Sequence, residues 1–253
     1  MNRVKTGIKG LDEMLVGGFL AETANLVEGA PGTGKTTLGM QFIYNGITQY
    51  NEPGLIMTFE EFPQQYYRDA QALGWNFREL ERADKLRVIM TSPEVGKADL
   101  EQASGHIGAM ARDIGARRIL VDSLSHFERL SSDPVELRNV LYGFINALKR
   151  EGLTSVLTRE SPTLIGESDS AEEDVAFIAD SYIMLRYVEI ESAVRKALLV
   201  LKLRGSDHAK DIRQFEITTN GIEVRSKFEG REGIMSGSPR RMSESFIEAF
   251  VRR

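Results

Sequence analysis

Residues Gly29 to Thr36 read GAPGTGKT, and few octets constrain a chain more. Glycines at positions 29, 32 and 34 let the backbone curl until successive N–H groups face one point. Every required position of the phosphate-binding loop is filled: Gly29, four residues, then Gly34, Lys35 and Thr36. Such a loop joins a buried strand to the start of a helix, and the flanks agree. The short apolar run Ala24–Val27 is of strand type, and Thr36–Gln49 carries Leu38, Phe42 and Ile43 at helical spacing. The helix start then turns its positive end toward an anion, with Gly32 and Gly34 opening the cradle. Lys35 is placed to reach β- and γ-phosphates, and the Thr36 hydroxyl to complete the shell of a Mg²⁺ ion. The expected ligand is ATP or GTP.

Short apolar runs alternate with amphipathic stretches along the next 130 residues. Strands are expected at Leu55–Phe59, Leu86–Thr91, Arg118–Asp122 and Ser155–Arg159, and helices at Gln64–Leu73, Leu100–Ile114 and Pro134–Arg150. This is the rhythm of an α/β fold, a mostly parallel sheet flanked by helices. Beyond residue 180 the rhythm changes. Asp180–Ile190, Lys196–Arg204 and Phe215–Val224 read as strands separated only by turns, with Asn220-Gly221 inside the last segment. A C-terminal antiparallel extension of the parallel core is expected, followed from Lys227 by a loop-like tail containing GIMSGSPRR.

Two further stretches carry nucleotide chemistry. RRILVDSL (Arg117–Leu124) puts Asp122 at the carboxyl end of a buried strand, where parallel α/β sheets hold their ligands and P-loop proteins hold Mg²⁺ through water. TFEE (Thr58–Glu61) sets two carboxylates at the end of the strand that follows the P-loop helix. Glu60 and Glu61 there either activate a water for attack on the γ-phosphate or form a solvated acidic turn, and spacing alone does not choose.

Composition excludes several classes. The chain has 253 residues, 42% hydrophobic and 27% charged, as soluble globular proteins do. A net charge of −5 argues against a dedicated nucleic-acid binder. No cysteine is present, so neither disulfides nor thiolates enter. The opening MNRVKTGIKG lacks a signal peptide's apolar segment, and no run approaches the roughly 18 apolar residues of a membrane helix. The cytoplasm is the expected location.

Four blocks, in order, resemble one family. They are RVKTGIKGLDEMLVGGF (Arg3–Phe19), EPGLIMTFEEFPQQYYRDAQALGW (Glu52–Trp75), VLKLRGSDHAKDIRQFEIT (Val200–Thr218) and GIMSGSP (Gly233–Pro239). The chain is similar to the KaiC family of RecA-like P-loop ATPases, whose members assemble as rings with nucleotide at subunit interfaces. The resemblance implies one ATPase domain over residues 1–235, with 236–253 as a tail, where the clock proteins carry two domains in tandem. It implies ATP and Mg²⁺ as cofactors and a homo-oligomer, a hexamer. Glu60 and Glu61 match the paired catalytic glutamates, Glu60 being the general base. Thr33, Gly34, Lys35, Thr36 and Thr37 match the phosphate cradle and metal ligand. Lys202, Arg204 and His208 match residues presented from the neighbouring subunit. Leu203, Ser206, Thr218 and Thr219 also fall where the family touches nucleotide.

One departure stands out. The family's paired hydroxyl phosphate acceptors align with Ala176 and Phe177, preceded by the acidic segment Ala171–Asp174. Neither residue can accept a phosphoryl group, which speaks against a clock-type autokinase. The expected function is a slow, regulatory ring ATPase whose nucleotide-dependent surface is read by a partner protein. The alternative is a RecA-type DNA-dependent ATPase, which needs basic channel loops. The loop candidates, 124–135 and 159–171, set Arg129 and Arg159 against Glu128, Asp133, Glu160, Glu167 and Asp169, a balance that repels a phosphate backbone. A small-molecule kinase suits the P-loop but not the paired carboxylates.

Overall fold

A computed structural model describes residues 2–102, 105–161, 177–228, 231–232, 234 and 240–241. In chain order the elements begin with β1 (Arg3–Val4), α1 (Leu11–Met14), β2 (Phe19–Leu20), β3 (Ala24–Gly29), α2 (Lys35–Tyr50), β4 (Gly54–Thr58), α3 (Pro63–Ala72) and α4 (Phe77–Arg82). They continue with β5 (Leu86–Met90), α5 (Pro93–Glu101), α6 (His106–Asp113), β6 (Arg118–Asp122), a 3₁₀ segment (Leu124–Arg129), α7 (Pro134–Arg150) and β7 (Thr154–Glu160). The last are β8 (Ser181–Ile190), β9 (Ala193–Leu203), β10 (Arg213–Thr218), β11 (Gly221–Lys227), β12 (Arg231–Glu232) and β13 (Arg240–Arg241).

Nine strands form the central sheet in the order β11-β10-β9-β8-β3-β7-β6-β4-β5. From β8 to β5 every neighbouring pair is parallel, and from β8 to β11 every pair is antiparallel. The fold is the expected RecA-like one, a mostly parallel sheet with an antiparallel extension. Both faces are covered, so the inner strands are buried throughout: β3 along all its residues, β4 likewise. Period-two alternation splits the core into two layers. Val27, Ile56 and Leu120 pack with α2 and Trp75, whereas Leu26, Met57 and Val121 pack with Ile107, Phe144 and Leu148.

Local chemistry sets the helix ends. Asp133 caps α7 by accepting from the Val135 amide at 2.9 Å, with Pro134 at the first helical position. Of the helix expected over Leu100–Ile114, α6 forms the later part, while α5 begins earlier, at Pro93, and reaches only its first two residues. The carboxylate of Asp99, within α5, accepts from the amides of His106 (2.8 Å) and Ile107 (2.7 Å) at the start of α6. The short helix α4 follows a cap by Asn76, which accepts from Glu79, and was not expected. The Asn220-Gly221 turn joins β10 to β11, with Gly221 at φ +101°. Part of the expected loop-like tail is ordered instead: Arg231–Glu232 pairs with Arg240–Arg241, and Ile234 packs beside Val188 and Ala197. Ala176 and the acidic segment before it lie outside the described residues, as do most of residues 233–239.

Candidate active site

The carboxyl ends of β3, β4, β6 and β7 meet along one edge of the sheet, and the sequence's chemical motifs converge there. Register fixes their heights: Gly29 lies level with Glu160, and Thr58 with Asp122. Gly29 opens the loop because a Cβ there would sit 2.6 Å from both the Leu185 carbonyl and the Thr33 hydroxyl. Gly34 takes φ +111° directly before α2, a conformation other residues resist. Thr33 closes the turn by donating to the Ala30 carbonyl at 2.7 Å. The Lys35 ammonium folds onto the same carbonyl at 3.1 Å. Burial draws the Lys35 pKa below its usual value, opposed by the charges of Glu160, Asp122 and Glu28.

Thr36 Oγ1 donates to Asp122 Oδ2 at 2.8 Å. A hydroxyl and a carboxylate of hard oxygen chemistry thus adjoin at the start of the P-loop helix, and they fit Mg²⁺, which takes one or two protein ligands and completes its shell with phosphate and water. Among the described residues no group of three His, Cys, Asp or Glu side chains converges.

The TFEE turn is also at this edge. The Thr58 hydroxyl donates to the Glu61 carbonyl at 3.1 Å and accepts from the Glu61 amide at 3.2 Å, which folds the turn back on the strand. Burial, then the nearby charge of Asp122, raises the Glu61 pKa. Glu60 extends into solvent, with the His126 imidazole 3.4 Å from its carboxylate. Thr37 follows on the first turn of α2, half-buried.

The remaining expected residues divide into two groups. Thr218 and Thr219 lie in the β10–β11 turn at the P-loop edge, where Ile217 covers Gly34 and Gln41 bonds the Ile222 amide at 2.7 Å. Lys202, Leu203, Arg204, Ser206 and His208 lie at the opposite edge. Lys202 pairs with Tyr182, which is level with Leu26, while the Arg204 amide bonds the Asp180 carbonyl beside Ala24. Three strand residues, about 10 Å, separate the Lys202 level from Gly29, and five, about 17 Å, separate the Arg204 level from it. Lys202 donates to the Ala179 carbonyl at 2.7 Å, and Arg204 to that of Phe177 at 2.5 Å. Burial, then Arg204, draws the Lys202 pKa down, and burial, then Lys210, does the same to His208.

Several residues at the P-loop edge carried no motif. Tyr66 on α3 donates to Asp122 Oδ2 at 2.8 Å, and the Thr158 hydroxyl bonds the other carboxylate oxygen. Lys196 on β9 donates to the Gly32 carbonyl at 2.6 Å and lies over the Tyr187 ring. Arg159, counted in sequence as a basic channel residue, is folded inward with Glu28 and Glu128, each at 3.5 Å. A phosphate backbone would have to compete with both carboxylates.

A strand–loop–helix cradle and a hydroxyl–carboxylate pair on a RecA-like sheet define a P-loop nucleotide-binding protein. Comparison with known families narrows this further. The family described as "ATPase: KaiC" matches residues 4–229. The chain belongs to the KaiC ATPase family. It is 38% identical over 241 residues to the circadian clock oscillator protein KaiC of Thermostichus vulcanus, covering 95% of this chain and 46% of that protein. Circadian clock protein KaiC3 of Synechocystis is 34% identical over 246 residues, covering 97% of this chain and 48% of its own length. KaiC of Synechococcus elongatus is 35% identical over 241 residues, 95% and 46% respectively. The chain spans about half the length of these relatives.

Proposed function

We propose that the protein is a Mg²⁺-dependent ATPase that works as a ring, a hexamer, with each nucleotide held between two subunits. The observation that carries this reading is the division of the family-matched residues between opposite edges of one sheet. A single nucleotide touches both groups only when Lys202, Arg204 and His208 of one copy face the P-loop of the next. Lys202, whose pKa is drawn down by burial and then by the charge of Arg204, gains from an incoming phosphate.

In this reading Gly32, Thr33, Gly34 and Thr37 hold the phosphates through backbone donors, and Lys35 leaves the Ala30 carbonyl to meet the β- and γ-phosphates. A Mg²⁺ ion would be held by Thr36 and near Asp122, where it would supply charge neutralisation to the phosphates. Glu60 orients a water in line with the γ-phosphorus and takes its proton as the bond to the ADP oxygen breaks. Glu61 supports that turn, and Lys202 and Arg204 of the adjacent copy neutralise charge on the transferred group. Leu203, Ser206, Thr218 and Thr219 frame the rest of the nucleotide. The unit doing this is residues 1–235, with 236–253 as its tail.

The role is regulatory: a nucleotide-dependent surface is read by a partner protein in the cytoplasm. Among the described residues no helix is long and apolar enough to cross a membrane. A DNA-dependent motor is not favoured, given the inward-facing Arg159. The test is association. Light scattering with Mg²⁺ and a non-hydrolysable ATP analogue should show hexamer that dissociates when nucleotide is removed. A monomer that hydrolyses ATP at full rate overturns the ring.

A further inference from the structure

Asp122 receives more hydroxyl donors than one strand end needs. Thr36 and Tyr66 both donate to Oδ2 at 2.8 Å, and Thr158 bonds Oδ1. Tyr66 is 2% exposed and sits on α3, the helix that follows the Glu60–Glu61 turn. A phenol carries its proton at neutral pH, so Tyr66 is a donor to Asp122. Its other neighbour is Thr58, whose hydroxyl stands beside the phenol and also bonds the backbone of Glu61. One line of contacts therefore runs from Thr36 through Asp122, Tyr66 and Thr58 to Glu61.

A buried tyrosine needs one acceptor, and a backbone carbonyl would suffice. Tyr66 instead uses the carboxylate oxygen that Thr36 uses, the one turned toward the P-loop. A carboxylate held on both oxygens cannot swing about its terminal torsion, so its lone pairs keep one direction. Removing a group that orients a metal-side carboxylate typically costs 10–100-fold in metal affinity.

We propose that Tyr66 is a positioning residue for Mg²⁺: it aims the Asp122 carboxylate at the metal and ties that end of the site to the glutamate turn. This rests on reading Thr36 and Asp122 as the metal side, as above. Tyr66→Phe keeps the ring and removes only the donor.

The test titrates Mg²⁺ into the 253-residue chain with a fluorescent, non-hydrolysable ATP analogue. In Tyr66→Phe the Mg²⁺ half-saturation should rise about tenfold, while analogue affinity in EDTA stays within about twofold of the parent, the two changes together marking a metal-specific loss. A half-saturation that is unchanged or lowered overturns the assignment. Thr58→Val leaves the phenol–carboxylate bond in place, so an equal shift there would make the effect one of packing and overturn it as well. Asp122→Asn, run in parallel, separates the two readings. If it leaves the Mg²⁺ dependence untouched, the metal reading itself fails. If it shifts the dependence and Tyr66→Phe does not, only the role of Tyr66 fails.

Discussion

Lys196 and Lys202 lie on the same strand, six residues apart, yet they serve opposite edges of the sheet. Lys196 pairs with Tyr187 and holds the Gly32 carbonyl at 2.6 Å, inside the chain's own P-loop. Lys202 pairs with Tyr182 and holds the Ala179 carbonyl at 2.7 Å, near the level where β3 begins. One cation braces the phosphate loop of its own subunit, while the other faces away from it. On the ring reading proposed above, such a strand would link one nucleotide site to the next.

That geometry gives a mixing experiment its logic. Arg204→Ala subunits keep an intact P-loop, and Lys35→Ala subunits keep intact cations. Each alone should turn over ATP at least tenfold more slowly than the parent, since each lacks charge at the transferred phosphate. Mixed in equal amounts, they should recover roughly a quarter of the parent rate, because random assembly gives that share of interfaces two intact halves. No recovery on mixing, with hexamers present, would count against action in trans.

The glutamate turn makes the second case. Replacing Glu60 and Glu61 by Gln removes the base but leaves the phosphate cradle and the Thr36–Asp122 pair. Turnover should fall about 10²–10⁴-fold, the usual contribution of a positioned base, with nucleotide affinity little changed. Single-turnover hydrolysis and analogue binding, measured on the same preparation, check both halves. Undiminished turnover would return the turn to the status of a solvated acidic loop.

Much of this site is legible in the sequence because its motifs are contiguous. GAPGTGKT, TFEE and RILVD each bring their chemistry within a few residues, and period-two apolar runs locate the strands that carry them. Tyr66, Thr158 and Lys196 were not legible. They reach the site through strand order: β7 and β4 flank β6 only after three crossovers, and β9 returns past the P-loop by way of β8. The break between α5 and α6 escaped for a related reason. Helical spacing continues through residues 100–114, but Asp99, within α5, takes two amides at the start of α6, which Gly105 caps. Ordinary strand chemistry hid Arg159 as well, since nothing local shows that Glu28 waits beside it.

Stability should depend on Glu61 in a pH-dependent way. Burial and Asp122 raise its pKa in the folded protein above the unfolded value, so the folded state binds this proton more tightly. The stability this group contributes is present at pH below its ordinary value near 4.5 and is lost as pH rises through the folded value. Glu61→Gln mimics the protonated form. At neutral pH it should melt slightly above the parent, by about 1 °C, and the gap should close as pH falls into the ordinary carboxylate range. A variant that melts lower than the parent at pH 7 would show that the carboxylate contributes more through its contacts than it costs through burial and repulsion.

The last expectation concerns phosphate storage. Phe177 stands where the family resemblance places a hydroxyl acceptor; its side chain is exposed, and its carbonyl is taken by Arg204 at 2.5 Å and approached by Lys202 at 3.3 Å. The two cations that the ring reading assigns to a neighbour's phosphate are therefore bonded to the backbone of the very segment that lacks an acceptor. A phosphorylated side chain there would draw both cations to itself through charge-assisted bonds. With phenylalanine in place, both cations bond backbone carbonyls of this segment instead. Incubation with labelled ATP followed by mass mapping should find no stoichiometric phosphate between Ser161 and Ser181. Phosphate on any serine or threonine of that stretch would reveal a displaced acceptor and an autokinase after all. Phe177→Thr restores a hydroxyl at one acceptor position, and slow incorporation of label at that residue would show that the cations and the site are still arranged to phosphorylate it.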